Sequence, residues 1–163
     1  MAPQVAWDLR VVTDVAAAAA ELFWAERPRS VVLSGGATPR PLYHLLAAHP
    51  ERHPWAATHV FFGDERCVPP GHPGSNYRMA CEALLSQVPA TAHPMPGETC
   101  DAEEYEAELR AFFCARPAAF DLTLLGMGED GHTASLFPGG PALGETERWV
   151  VRAEAPDHPR LTL

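Results

Sequence analysis

An acid and an imidazole, Asp130 and His132, stand two residues apart within DLTLLGMGEDGHTASLFPG, the stretch from Asp121 to Gly139. It opens on a short apolar run, Leu122 to Leu125, and breaks at Gly126, Gly128 and Gly131. The pattern predicts a strand, a glycine turn and a helix-like segment beginning just after His132. In α/β proteins ligands sit at the carboxyl edge of the sheet, where strands end in such turns. Glycines there let backbone N–H groups approach an anion, and a helix N-terminus adds a favourable dipole. A carboxylate and an imidazole in that turn point to proton transfer beside a bound anion. The structural alternative is an imidazole satisfied by a carbonyl at a helix start.

Two more strand-to-loop transitions carry polar groups. Ser34-Gly35-Gly36-Ala37-Thr38-Pro39 offers backbone amides and a hydroxyl, a setting suited to phosphate or merely to tight packing. No Gly-Lys-Ser/Thr follows, so it is not a P-loop. Asp64, Glu65 and Arg66 place two carboxylates and a guanidinium at the end of another predicted strand, either as a site or as a solvated cluster. Asn76, twelve residues after Asp64, either contacts a ligand's hydroxyls or caps the helix that follows it. Tyr77, Arg78 and Trp149 read as structural.

The elements that must hold these residues alternate along the chain. Thr13 predicts an N-cap for a helix reaching Glu26, which stops before Pro28. Ser30–Leu33 and His59–Phe62 read as buried strands, with a helix from Pro41 to Ala48 between them. The Pro- and Gly-rich segment 68–75 is a loop, followed by a helix from Asn76 to about Gln87. Asp101 to Glu104 resembles a capping box for a helix to about Ala115. Asp121–Leu125 and Trp149–Arg152 are further strands, and Arg160–Leu163 reads as the opening of one more. This order implies a doubly wound, mostly parallel α/β sheet, Rossmann-like and three-layered. A strand that opens at Arg160 and stops with the chain at Leu163 points either to an unusually small fold or to a chain truncated at its C-terminus, part of a longer protein.

At 163 residues with 47% apolar content, the chain is one soluble globular domain by composition. No apolar run approaches the ~20 residues needed to span a bilayer, and no signal-peptide layout is visible. A net charge of −9 argues against nucleic acid or an anionic membrane as a partner. All twelve cations are Arg and none is Lys. Any anion clamp must therefore use guanidinium or backbone donors, and Schiff-base lysine chemistry is excluded for these residues. Cys67, Cys81, Cys100 and Cys114 form no CxxC pair and are expected as reduced thiols of a cytoplasmic protein. No cofactor or metal site is expected, since no ligand cluster has the usual spacing. Monomer and homodimer are both open.

Taken together, SGGATPRPLY, GDERCVPPGHPGSNYRMA and LGMGEDGHTASLFPG resemble the three signature stretches of 6-phosphogluconolactonases, in that family's order. The resemblance runs from the first helix to Leu163. It implies hydrolysis of the δ-lactone of 6-phosphogluconate in the pentose phosphate pathway, in the cytoplasm and without a metal. On that reading His132 activates water, Asp130 orients it or shapes the turn, and Arg66 meets the oxyanion or the substrate phosphate. Ser34, Gly35, Gly36, Thr38, Asp64, Asn76 and Gly131 would surround the substrate, Asp64 and Glu65 chiefly as positioning groups. Imidazole, with a reference pKa near ~6.5, suits such a base. Glucosamine-6-phosphate deaminases share the glycine turn, but where they carry an extra Glu this chain has Phe137. A non-catalytic sugar-phosphate-binding fragment is the reading from a different class. The resemblance also implies a downstream basic residue for the phosphate, usually Lys, for which these residues offer no assured counterpart.

Overall fold

The computed structural model describes residues 8–163. In chain order its elements are α1 (Val15–Glu26), β1 (Ser30–Leu33), α2 (Arg40–Ala48), β2 (His59–Phe62) and β3 (Asp64–Arg66). There follow α3 (Asn76–Ala83), β4 (Thr91–Ala92), α4 (Ala102–Phe112), β5 (Leu122–Thr123), β6 (Val151–Ala153) and β7 (Arg160–Thr162).

The cap of α1 is Asp14, one residue later than expected, because its carboxylate reaches the N–H of Ala17 at 2.9 Å. The helix ends at Arg27, which turns left-handed with φ 50° and returns its N–H to the carbonyl of Phe23. Every residue of β1 is buried, as expected of a parallel strand covered on both faces. It pairs in parallel with β2 on one side and β5 on the other, and β4 lies outside β2, giving the order β4-β2-β1-β5.

That order decides where a ligand can sit. The chain moves outward from β1 to β2 to β4 through α2 and α3, and then α4 carries it back to the far side of β1. Right-handed crossovers in opposite directions put α2 and α3 on one face and α4 on the other. On the first face α2 packs against both α1 and α3. The crossover of α4 brings the ring of Phe112 to 4.8 Å from that of Phe61. Connections therefore diverge between β1 and β5, and a crevice opens beyond the carboxyl ends of those two strands. The core beneath it includes Val31, Leu33, Leu46, Val60, Phe61 and Tyr105, none more than 1% exposed. Burial of each such aliphatic or aromatic side chain is worth ~1.5–3 kcal/mol.

The sequence pattern does not show a second sheet, which is antiparallel with the order β3-β7-β6. Asp64–Arg66, expected as the tail of a strand end, is itself a strand one glycine after β2. It pairs with the segment 160–162, so β7 has neighbours on both sides. Residues almost a hundred positions apart make that ladder, and no local pattern reports it.

Other expectations are corrected. The strand at 121–125 holds only Leu122 and Thr123, and the strand expected from Trp149 begins at Val151. The helix from Asn76 ends at Ala83, with a short 3-10 turn at Leu85–Gln87. No helix opens directly after His132; residues 133–139 form turns around a bridge between Thr133 and Leu136, and a short 3-10 turn comes only at Pro141–Gly144. Ala134 at φ 49° and Gly139 at φ 73° both leave the right-handed helical region there. Cys67 and Cys100 are joined in a disulfide, with Cα atoms 5.0 Å apart, while Cys81 and Cys114 are free thiols. The fold brings a loop after β3 to the turn before α4, which a sequence separation of 33 does not disclose.

Candidate functional site

The switch point between β1 and β5 opens into a cavity of about 760 Å³. It is lined by Ser34, Gly35, Gly36 and Thr38 from the end of β1, Asp64 and Arg66 from β3, Asn76 from α3, and Gly128 and His132 from the turn after β5. Three segments that are distant in sequence thus share one wall.

The turn that carries His132 is closed by its own backbone. Gly128 donates its N–H to the carbonyl of His132 at 2.8 Å, and Gly131 donates to the carbonyl of Gly128 at 3.0 Å. Gly131 holds φ 85°, a conformation that glycine adopts freely. A Cβ on Gly128 would overlap the imidazole, so that glycine lets the ring fold over the turn. With its N–H engaged, Gly131 serves the turn, and neither it nor Asp130 lines the cavity.

Asp130 reaches His132 instead, with its Oδ1 2.5 Å from Nδ1. Hydrogen bonds from the side chain and the backbone N–H of His132 hold the Asp130 carboxyl below the usual carboxylate range. An ionised carboxylate can only accept, so Nδ1 carries a hydrogen, and in the neutral ring the lone pair lies on Nε2.

A buried polar network ties this turn to the other two segments. Ser135, 1% exposed, donates its hydroxyl to Asp64 Oδ2 at 2.6 Å. The other carboxylate oxygen of Asp64, together with its backbone carbonyl, accepts Nδ2 of Asn76 at 3.0 and 2.9 Å. The Asn76 carboxamide lies so close to Gly35 that any side chain there would overlap it. Asn76 is not the helix cap; Ser75 is, accepting the N–H of Arg78. The Oδ1 of Asn76 is buried without a partner among the described residues. Ser135 was missed in the sequence; its place three residues after His132 was the available signal.

Arg66 gives one N–H to the carbonyl of Gly74, and its buried Nε has no partner among the described residues. Glu65 points the other way and accepts the N–H groups of Arg66, Asn76 and Tyr77 and the Ser75 hydroxyl, all within 2.7–3.0 Å. It pins the start of α3 to β3. The structural readings of three other side chains agree with their contacts. Tyr77 packs edge-on to Phe62, Arg78 pairs with Glu82, and Trp149 lies under Arg110. Among the described residues, no helix is long and apolar enough to cross a membrane.

Residues 5–163 match the family model of glucosamine-6-phosphate isomerases/6-phosphogluconolactonase. The chain belongs to this family. Within it, a 6-phosphogluconolactonase from a Synechocystis strain is 49% identical over 143 residues, covering 82% of this chain and 59% of its own length. The chain thus spans about three fifths of that relative. Among solved structures, the 6-phosphogluconolactonase from Trypanosoma cruzi superposes with a TM-score of 0.79 at 32% identity, covering 91% of this chain and 70% of its own. The Thermotoga maritima 6-phosphogluconolactonase gives 0.78 at 32% identity, with coverages of 91% and 72%. The parallel sheet and its helices are therefore the family's architecture.

Proposed function

We propose that the chain carries the catalytic site of a 6-phosphogluconolactonase, hydrolysing 6-phospho-D-glucono-1,5-lactone to 6-phosphogluconate. The observation that carries this reading is the Asp130–His132 pair, set beside a cavity lined by His132 and Arg66. Relatives bearing that name support it.

In this reading the lactone carbonyl lies over the Gly128–His132 turn. Nε2 of His132 takes a proton from water as the oxygen attacks the carbonyl carbon. Asp130 stabilises the imidazolium that forms. The tetrahedral oxyanion then collapses and expels the ring oxygen, which recovers the proton from His132. Donors aimed at developing negative charge supply much of the stabilisation in such steps. The N–H groups of Gly35 and Gly36 have no acceptor among the described residues, and Thr38 adds a hydroxyl. Asp64 and Asn76 hold the walls in register, Ser34 and Gly131 shape the two turns, and Arg66 meets anionic charge on the substrate. Glucosamine-6-phosphate deamination would need an acid where Phe137 packs its ring 4.8 Å from that of His132.

We place this activity in one α/β domain, residues 1–163, in the cytoplasm. In a reducing cytoplasm the Cys67–Cys100 bond would be exposed to reduction by the thiol pool. The test is proton release in a pH-stat on freshly generated lactone, read as the excess over spontaneous opening. His132→Ala should remove ~10²–10⁴-fold of the catalysed rate. Equal rates for the two proteins would sink the mechanism.

A further inference from the structure

The register of the antiparallel sheet sets two cations side by side. Arg66 on β3 is the direct partner of Arg160 on β7. Directly opposed residues project from one face with Cβ atoms ~4.5–5.5 Å apart, and both side chains line the cavity that holds His132. Opposed like charges are unfavourable, so such a pair calls for a shared anion. Asp157 answers part of the charge, lying 2.6 Å from Nη2 of Arg160, whose side chain is 11% exposed. Arg66 has no carboxylate partner among the described residues, and its Nε is buried and unpartnered.

Donor arithmetic leaves room for a ligand. Each guanidinium has five N–H groups. Arg66 uses one on the Gly74 carbonyl. Arg160 uses Nε on the His158 carbonyl and one N–H of Nη2 on Asp157. The remaining forks suit a tetrahedral oxyanion, which Arg binds through paired N–H groups.

We propose that Arg66 and Arg160 form a two-guanidinium clamp for the phosphate of the substrate, Arg160 being a binding residue of the site. The proposal rests on the sugar-phosphate reading above. It supplies, from within these residues, the second cation that the sequence alone did not reveal. Asp157 holds Arg160 in place before the ligand arrives.

The experiment is calorimetric titration of the full chain with inorganic phosphate and with 6-phosphogluconate, alongside lactone kinetics. Arg160→Gln keeps the stem and removes the charge. Arg148→Gln makes the same charge change at an exposed residue paired with Glu103. Arg160→Gln should weaken both ligands and raise KM by ~10–100-fold, with kcat within about threefold, as expected for charge-assisted bonds. Arg148→Gln should change neither. Arg160→Lys, which keeps charge but loses the fork, should fall between, and it decides the matter if the Gln variant does not fold. Unchanged phosphate affinity in the Arg160 variants would overturn the clamp, and so would an unmodified chain that binds neither ligand. Weakened phosphate binding in a chain without lactone turnover would keep the clamp and remove the lactonase reading.

Discussion

His132 takes its direction from a single hydrogen bond, and Asp64 takes its own from two neighbours. Replacing Asp130 by Asn removes the obligate acceptor at Nδ1, so the imidazole can settle in the other tautomer with Nδ1 unprotonated. The expected result is a fall in kcat on the order of 10²-fold with little change in KM, measured by steady-state kinetics on the lactone. Ser135→Ala strips the hydroxyl from Asp64 Oδ2, leaving a buried carboxylate oxygen without that partner. Such a loss costs ~1–3 kcal/mol, readable as a lower midpoint in urea. An unchanged midpoint would mean that water replaces the hydroxyl. At this scale the sequence was a good guide to residue types. Asp130, His132 and Arg66 stand out as candidates by type and spacing, and the fold places His132 and Arg66 on the cavity wall, whereas Ser135 and Arg160 read as ordinary loop and strand residues.

Among the elements, those defined by short-range pattern were read well. β1 and β2 have the limits that their apolar runs implied, because a buried parallel strand is a continuous apolar segment. The segment after His132 has a composition that permits a helix, yet its backbone turns left-handed at Ala134 and none forms there. The site therefore gains no helix dipole from that side. Its rigidity comes from the closed glycine turn and from Glu65, whose carboxylate gathers four donors from β3 and the start of α3. Glu65→Gln should lower stability by about 2 kcal/mol, since charge-assisted bonds at a helix start are replaced by weaker ones and one mispaired amide. Thermal melting followed by circular dichroism measures this, and a variant that melts with the unmodified chain would refute the capping role.

For the whole molecule, stability is tied to one buried and one half-buried imidazole, those of His53 and His59. Burial, with Arg27 nearby, lowers the pKa of His53, and burial with His93 and Arg116 lowers that of His59, both below the ordinary value of 6.5. The unfolded chain then takes up protons first as pH falls. Their contribution is complete above about pH 6.5 and is lost as pH drops through the lower folded values. A second decline follows in stronger acid. Asp157, despite partial burial that works the other way, is held down to about 2, chiefly by Arg160. Its share persists above the ordinary value of 3.8 and disappears toward pH 2. Melting temperatures measured from pH 7.5 downward should fall in these two stages, and His59→Gln should flatten the first. A flat profile between pH 7 and pH 5 would contradict the burial argument.

By itself the sequence determined the alternating α/β order, the two central strands and the glycine turn with its carboxylate and imidazole. Each of these is written in neighbouring residues through periodicity, capping or backbone freedom. Only the tertiary structure decided that α4 returns across β1 to create the switch point. It alone set Arg160 opposite Arg66, joined Ser135 to Asp64 and brought Cys67 to Cys100. Those pairings depend on strand register and loop closure over roughly thirty to a hundred residues. There the stabilisation comes from contacts that no local segment can make alone.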